Sequence, residues 1–246
     1  KAGLASEELK KKPEAIAAYQ KLERSYAESV HLPHARLQLG ILHYYGKKYA
    51  DARTALQKVV VLKEHKLRPN AEYYLAWVAL GEGKAETAAQ QFGVVADSFQ
   101  QHELAADSRL QQGTMLLDAE QFADAQKALE RFIADYTKHE KIDQATFQLG
   151  FSQMKQEQWP VALANFAKVP AESDWRDDAL YQSAWCQKGS DKSQNAAPHY
   201  EELLAEFPKS PLANASSLEL AELEYEDKKL NEVIRRLQGL IVKKPN

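Results

Sequence analysis

The residues of this chain whose types could do chemistry do not form a catalytic or metal-binding set. His31 and His34 flank Pro33, but no further histidine or acidic cluster shares their spacing closely enough to complete a metal site. Cys186 is the only cysteine, and a lone thiol without a positioned histidine is more typical of a small buried apolar group than of a nucleophile. We therefore expect no bound metal and no cofactor.

Residues 81–87 read Gly-Glu-Gly-Lys-Ala-Glu-Thr and invite comparison with a phosphate-binding loop. Val78 stands where the first glycine of that motif is required, and Ala85 stands where a serine or threonine must follow the lysine. The segment is better explained as a turn between two helices. The aspartates and glutamates lie at helical, solvent-facing positions, and no pair is marked as a general acid and base. The sequence predicts that the chain is not an enzyme.

Aromatic, aliphatic and glutamine side chains that recur at regular intervals are the best candidates for binding a partner. Such a surface suits an extended, largely uncharged peptide, because glutamine can pair with the donors and acceptors of the peptide backbone. The alternative for any single member is burial between neighbouring helices. The predicted partner-binding residues are Leu37, Tyr73, Tyr74, Trp77, Gln111, Phe147, Gln148, Phe151, Tyr181, Gln182 and Trp185.

The overall charge of the chain argues against two other classes of partner. Lysine and arginine total 32 and aspartate and glutamate total 35 among 246 residues, so the formal net charge is -3. No strong field therefore attracts nucleic acid or anionic lipid. No apolar run approaches the roughly 20 residues of a membrane-spanning helix. The chain begins Lys-Ala-Gly-Leu, with neither an initiator methionine nor an apolar signal core, and we expect it to be a fragment of a longer protein.

A repeated pattern determines which elements position the candidate residues. A small residue is followed nine positions later by a bulky one and twelve positions later by a second small one, as in Gly40, Tyr49 and Ala52. Successive copies are 34 to 37 residues apart, a period that is typical of stacked helical hairpins. The second small position falls at Ala15, Ala52, Ala88, Ala125, Ala162, Ala196 and Val233, and the first copy, which starts at Gly3, is truncated.

Each part of this pattern has a physical role in a hairpin of two helices. Small residues at the first and second positions let the two helices approach closely, and the bulky residue between them starts the second helix. Apolar residues four and seven positions after the second small one, such as Leu56 and Val59, form a stripe that must be buried against the next hairpin. Short polar turns are predicted at residues 46–48, 119–121, 156–158 and 226–228.

The sequence thus predicts an all-α fold, a single solenoid over residues 1–246 built from about seven repeats. Within it, Pro170 is expected to end one second helix early and to bend the solenoid locally. Arg235, Arg236, Lys243 and Lys244 near the end of the chain are interpreted as a solvated face. The predicted repeats are residues 1–32, 33–69, 70–105, 106–142, 143–176, 177–213 and 214–246.

The small, aromatic and alanine positions at offsets of zero, nine and twelve resemble the tetratricopeptide repeat, and the segment 206–211, Glu-Phe-Pro-Lys-Ser-Pro, resembles its exit from the second helix. The resemblance implies a right-handed superhelix whose first helices line a concave groove, and a role as scaffold or adaptor for an extended peptide or a partner helix. The family's tryptophan, four places before the first small residue, is replaced here by Arg36, Glu72, Arg109, Thr146, Leu180 and Ser217.

The long copies, with Tyr26, Phe99 and Phe207 near the ends of second helices, are similar to bacterial cell-envelope proteins of this class. These are the BamD-like outer-membrane assembly lipoproteins and the Tol-Pal-associated periplasmic protein. The similarity implies a location in the periplasm or cell envelope. An alternative function remains open at this point, in which the chain is a structural spacer or assembly subunit that self-associates through its edges and convex face.

Overall fold

A computed structural model of the chain describes residues 12–63 and 65–242, with side chains described as far as residue 241. Every regular element in these ranges is helical, and the all-α prediction is confirmed. Gly3, which starts the truncated first repeat, lies outside the described residues, and so do Lys243 and Lys244.

The described residues form a succession of helices separated by short turns. One of them is a short 3₁₀ helix, Ser193–Asn195. The α-helices are α1 (Lys12–Ser25), α2 (Leu32–Tyr45), α3 (Tyr49–Val60), α4 (Arg68–Gly81), α5 (Ala85–Ser98), α6 (Leu104–Asp118), α7 (Phe122–Asp135), α8 (Ile142–Lys155), α9 (Trp159–Phe166), α10 (Arg176–Gly189), α11 (Ala197–Glu206), α12 (Ala213–Glu226) and α13 (Leu230–Val242).

The chain divides into two compact units, Lys1–Gln121 and Phe122–Asn246. In the first unit each helix from α1 to α6 packs against the next, and α4 also contacts α2 and α6. In the second unit consecutive helices from α7 to α13 pack in the same way, and α8 also contacts α10. The first helices α2, α4 and α6 of the first unit, and α8 and α10 of the second, therefore lie side by side.

One backbone geometry recurs in the hairpin turns of the described residues. A single residue adopts a left-handed conformation, with φ between 56° and 76°, and the following N–H donates to the carbonyl five residues earlier at 2.8–2.9 Å. This 6→1 bond is the Schellman motif, which satisfies an unpaired carbonyl at the end of the first helix. The left-handed residues are Lys47, Gly83, Glu120, Glu157, Asp191 and Lys228.

Three of the four predicted turns, at residues 46–48, 119–121 and 156–158, lie between helices as expected. The fourth is shifted by one residue, because α12 continues through Glu226 and the turn comprises residues 227–229. Residues 82–84 likewise connect α4 and α5, which confirms that the glycine-rich segment is a turn between helices.

Gly83→Ala is expected to lower stability by about 1 kcal/mol, because an L side chain is strained at the φ of +76°. The midpoint of thermal unfolding, followed by far-UV circular dichroism, would fall by roughly 2–4 °C. Gly239→Ala is the matched control, since an added Cβ meets nothing within 4 Å at either glycine. Gly239 lies inside α13, where alanine is the better helix former, so its midpoint should rise. Changes of the same sign in both variants would contradict this explanation.

The buried positions follow the predicted register. The second small residues Ala52, Ala88, Ala125, Ala162 and Ala196 are completely buried. In the first unit, Leu56 and Val59 of α3 share a core cluster with Leu75 and Val78 of α4. A Cβ placed at Gly40 would lie 2.4 Å from Leu56 Cγ, so this glycine allows α2 and α3 their close approach. Each second helix is thus buried against the first helix of the next hairpin.

Charged residues occupy three of the positions at which the repeat family carries tryptophan, Arg36, Glu72 and Arg109, and the two arginines pair with the preceding helix. Arg36 Nε lies 3.0 Å from Glu23 Oε1, which joins α2 to α1. Arg109 of α6 pairs with Asp97 of α5 in the same way. Ion pairs between a first helix and the preceding second helix therefore take the place of aromatic packing at the two arginines.

Two second helices depart from the regular length. α9 has 8 residues and ends at Phe166, three residues before the predicted end at Val169 and Pro170. In the sixth repeat the 3₁₀ helix replaces the first turn, and α11 begins at Ala197 with Pro198 next to it. A local bend across residues 159–196 remains a prediction.

Candidate functional site

One candidate site is a cavity of about 670 Å³ in the second unit, formed by α8, α10 and the start of α9. We call it the second-unit groove. Four of the predicted partner-binding residues line it, and its lining combines aromatic rings with a polar rim. The lining residues are Phe151, Met154, Lys155, Glu157, Trp159, Tyr181, Gln182, Trp185, Lys188 and Gly189.

The repeat register explains why these side chains meet. Tyr181 and Trp185 stand three residues before and one residue after the small Ala184, which places them one helical turn apart on the same face of α10. Phe151 directly follows Gly150 on the neighbouring helix α8. Because α8 and α10 lie side by side, the same face of both helices borders the groove.

Trp159 reaches the groove because of a glycine on the neighbouring helix. A Cβ added to Gly189 would lie 2.8 Å from Cη2 of the Trp159 ring, so any larger residue would displace that ring. Gly81 has the same relation to Tyr49 in the first unit, where the distance to the ring is 2.4 Å. The bulky residue that starts each of these second helices therefore contacts the end of the next first helix.

Two lysines lie over the rings of the second-unit groove. Lys155 Nζ is 5.3 Å from the centroid of the Phe151 ring, and Lys188 Nζ is 5.3 Å from the centroid of the Trp185 ring. Lys188 Nζ also lies 2.7 Å from Glu219 Oε2. Burial opposes the charge of Lys188, but the hydrogen bond and charge of Glu219 outweigh it and raise the lysine pKa. The charge of Lys188 is thus already compensated within the protein.

The first unit contains a smaller cavity of about 270 Å³, lined by Tyr44, Tyr45, Tyr73, Tyr74 and Trp77. We call it the first-unit aromatic pocket. The hydroxyl of Tyr73 donates a hydrogen bond to Asp107 Oδ2 at 2.6 Å, which fixes the ring. Burial, together with the neighbouring Tyr45, raises the pKa of Tyr74 to about 12, so its hydroxyl stays protonated. The pocket therefore presents neutral aromatic rings.

The two cavities occupy equivalent positions in the repeat. Tyr73 and Trp77 stand three before and one after Ala76, as Tyr181 and Trp185 do around Ala184. Tyr44 and Tyr45 correspond to Met154 and Lys155, which end the preceding first helix in each case. These four residues and Trp159 are not among the site residues predicted from the sequence, although their positions four, five and nine after the small residue identify them.

The remaining predicted site residues lie elsewhere. Leu37 is buried in the core cluster of α3 and α4, and Phe147 is buried with its ring stacked 5.1 Å from that of Trp175. Gln148 is also buried, and Gln111 is half-buried on α6 but lines neither cavity. In this structure Leu37, Phe147 and Gln148 are therefore interior residues, which is the alternative considered for them above.

The other chemically capable residues are separate from both cavities. Cys186 is buried, and burial raises the pKa of its thiol to about 12. His31 is exposed in a turn, and His34 is exposed in the first turn of α2. Within residues 12–63 and 65–242, no group of three or more histidine, cysteine or acidic residues is placed to hold a metal ion. None of the described helices has the length and apolar character to cross a membrane.

The protein families that match this chain agree with an architecture of stacked helical hairpins. The tetratricopeptide-repeat family matches residues 1–29, 34–61 and 178–210, which include hairpins from both units. These three segments of the chain are tetratricopeptide repeats. The central segment, residues 65–177, matches the YfiO family, described as an outer membrane lipoprotein. That match agrees with the similarity to BamD-like proteins.

Solved structures of tetratricopeptide-repeat proteins share the fold. The C-terminal part of a TPR repeat-containing protein from Cytophaga hutchinsonii is 19% identical, with 96% of this chain and 91% of that chain covered and a TM-score of 0.75. YrrB, described as a TPR protein with an unusual peptide-binding site, is 19% identical over 80% of this chain and 95% of its own, with a TM-score of 0.62. MamA is 16% identical over 74% of this chain and 94% of its own, with a TM-score of 0.62. The comparison with curated protein sequences finds no significant match.

Proposed function

We propose that this chain is a protein-interaction scaffold that binds an extended, largely uncharged peptide segment in the second-unit groove. The observation that carries the proposal is the convergence of Phe151, Trp159, Tyr181 and Trp185 on one cavity of about 670 Å³. A volume of this size is typical of sites that bind a small ligand or a few side chains. Tetratricopeptide repeats act in protein–protein interactions, and catalysis plays no part in the proposal.

The exposure of the rings favours a peptide anchor over a purely structural role. Trp185 is 42% exposed and borders a cavity lined by other aromatic residues, so a bound apolar side chain would remove its ring from water. Tryptophan and tyrosine provide large contact areas and lose little side-chain entropy on binding. Gln182 adds an amide that can pair with a peptide backbone.

The charges at the rim favour an uncharged segment. Lys188 is compensated by Glu219, and Lys155 stands on the same rim as Glu157. A strongly acidic peptide would meet Glu157, and a strongly basic one would meet Lys155, so neither sign is clearly favoured. The YfiO match further supports a location in the cell envelope as part of this proposal.

The test blocks the groove chemically. Cys186 is buried with a thiol pKa of about 12, so it should not react with a maleimide in the folded protein. A Gln182→Cys variant would then carry the label within the groove, and Leu218→Cys, at an exposed position on α12 outside the groove, is the matched control. The probes are peptides selected from a random library displayed on phage, with the unlabelled wild-type chain as target.

Selected peptides should carry one or more large apolar or aromatic residues and little net charge. Unlabelled Leu218→Cys should bind them like the wild type, and unlabelled Gln182→Cys somewhat more weakly because it lacks the amide. The bulky label should abolish binding only in Gln182→Cys. Unchanged binding by labelled Gln182→Cys would overturn the assignment of the groove. Failure to select any peptide from the library would count against the proposed function as a whole.

A further inference from the structure

The repeat shows how a cation is bound at one of its aromatic positions. In the second unit, the ammonium of Lys188 lies 5.3 Å from the centroid of the Trp185 ring, and Lys188 stands four residues after the small Ala184. Trp77 is the equivalent of Trp185 in the first unit, but Leu80 stands at the position of the lysine. The first unit therefore keeps the tryptophan and lacks the ammonium that covers it in the second.

Only aromatic residues line the first-unit aromatic pocket, and neighbouring rings meet at wide angles. The ring of Tyr74 makes angles of 63° and 89° with those of Tyr44 and Tyr73, at centroid distances of 6.1 and 5.7 Å. The planes of Tyr73 and Trp77 meet at 74°. Rings at such angles form the sides of a box, and the faces of aromatic rings carry the negative potential that attracts cations. The pocket thus has the construction of an aromatic cage.

The electrostatics of these rings favour a cation. Burial raises the pKa of Tyr44, and burial together with the hydrogen bond to Asp107 raises that of Tyr73, so both phenols are neutral. The Tyr73 hydroxyl donates to the Asp107 carboxylate at 2.6 Å, which makes its ring more electron-rich. Lys12 Nζ already lies 5.3 Å from the centroid of the Tyr45 ring, the exposed ring at the rim. One ring of the pocket therefore binds an ammonium in the protein itself.

The pocket lies within the stack of helices. It is formed by the end of α2 and one face of α4. Within the first unit, α1 packs against α2, and α6 lies beside α4. Both helices that form the pocket are therefore flanked by described helices, and its opening does not depend on what is stacked at either end of the chain.

We infer that the first-unit aromatic pocket binds the side chain of a lysine that projects from an extended segment of a partner protein. A volume of about 270 Å³ is below the usual range for a whole ligand and suits a single long side chain. The apolar stem of lysine would pack on the rings, while its ammonium meets ring faces and donates to phenol oxygens. A quaternary ammonium has no N–H to donate. The site is separate from the second-unit groove.

Titration of the isotope-labelled full chain, followed by nuclear magnetic resonance, tests this inference. The signal is the indole N–H of Trp77, which is identified by its loss in Trp77→Phe. The probes are two capped peptides of four alanines around a central lysine or a central norleucine, which has the same stem without the ammonium. The lysine peptide should shift the signal and bind about fivefold more tightly, because only its side chain gains a cation–π interaction.

A second experiment blocks the pocket from within the chain. Leu80→Lys should place an ammonium over Trp77, as Lys188 does over Trp185, and should abolish binding of the lysine peptide. Leu80→Met, which also has a flexible side chain but no charge, is the matched control and should bind like the wild type. Circular dichroism should show the same helix content in both variants.

Equal affinity for the lysine and norleucine peptides, or no shift of the Trp77 signal with either, would overturn the inference. Tighter binding of free choline than of the lysine peptide would also overturn it, in favour of a quaternary ammonium ligand. So would wild-type affinity of Leu80→Lys for the lysine peptide. Peptides selected for the second-unit groove should bind Leu80→Lys like the wild type, so this result is distinguishable from a failure of the proposed function.

Discussion

Replacing Trp185 by alanine is expected to weaken the affinity for a groove-selected peptide by about 30-fold, which corresponds to roughly 2 kcal/mol. Tryptophan is the residue whose truncation most often has an effect of this size, when its ring packs against an anchor in a desolvated pocket. Trp185 would meet this condition once a peptide side chain covers it, because Tyr181 and Phe151 border the same cavity. Isothermal titration calorimetry with the peptides selected on the wild type would measure the change.

Two further variants make the result specific. Tyr225→Ala removes an exposed aromatic ring of α12 outside the groove, and its affinity should stay within about twofold of the wild type. Trp77→Ala acts in the first-unit aromatic pocket. If Trp77→Ala lost affinity and Trp185→Ala did not, the peptide site would belong to the first unit. Unimpaired binding by the double variant Trp77→Ala/Trp185→Ala would exclude both cavities.

The helices and their core positions could be predicted from the sequence because both depend on periodicity. A period of 34 to 37 residues defines the hairpins, and the 3.6-residue turn of the helix then determines which positions face the next hairpin. Ala52, Leu56 and Val59 are buried as this reasoning requires. These positions depend on the spacing of small and apolar residues and hardly on the details of neighbouring side chains.

The candidate site was only partly predictable from the sequence. Burial on the side of the first helices that carries Phe147 and Tyr181 depends on residues outside the repeat pattern. Phe147 and Tyr181 occupy the same position of successive first helices, but Phe147 stacks on Trp175 and is buried, whereas Tyr181 lines the groove. Trp175 belongs to the loop that follows the short α9, and nothing in the repeat predicts its position. A register specifies the direction of a side chain, while the neighbours determine whether it reaches solvent.

The early end of α9 shows a local effect of the same kind. Pro170 has no N–H to donate to the carbonyl of Phe166, and it disfavours helical backbone at Val169. The last turn therefore lacks a helical hydrogen bond, and α9 ends at Phe166, earlier than the sequence predicts. Val169 is nevertheless buried in the core cluster of the second unit. The apolar position is preserved while the helix that would carry it is shortened.

Asp97→Ala is expected to lower the free energy of unfolding by about 3 kcal/mol. This loss is larger than the one expected when its partner Arg109 is replaced by methionine. The side chain of Arg109 is only 4% exposed, whereas that of Asp97 is 49% exposed. Without Asp97 the buried guanidinium of Arg109 would still donate to the neutral Gln112 at 2.8 Å. It would lose the counter-charge that this ion pair provides. Urea unfolding followed by circular dichroism would measure the loss.

Arg109→Met is expected to lower the free energy of unfolding by about 1 kcal/mol or less, because Asp97 is exposed enough to be hydrated and the flexible methionine side chain fills most of the buried space. The double variant Asp97→Ala/Arg109→Met should then be more stable than Asp97→Ala alone, since the buried charge has been removed. A double variant no more stable than Asp97→Ala would mean that the loss reflects packing around residue 97. Arginine at this position of the repeat therefore makes the stability of the α5–α6 contact depend on a carboxylate in the preceding helix.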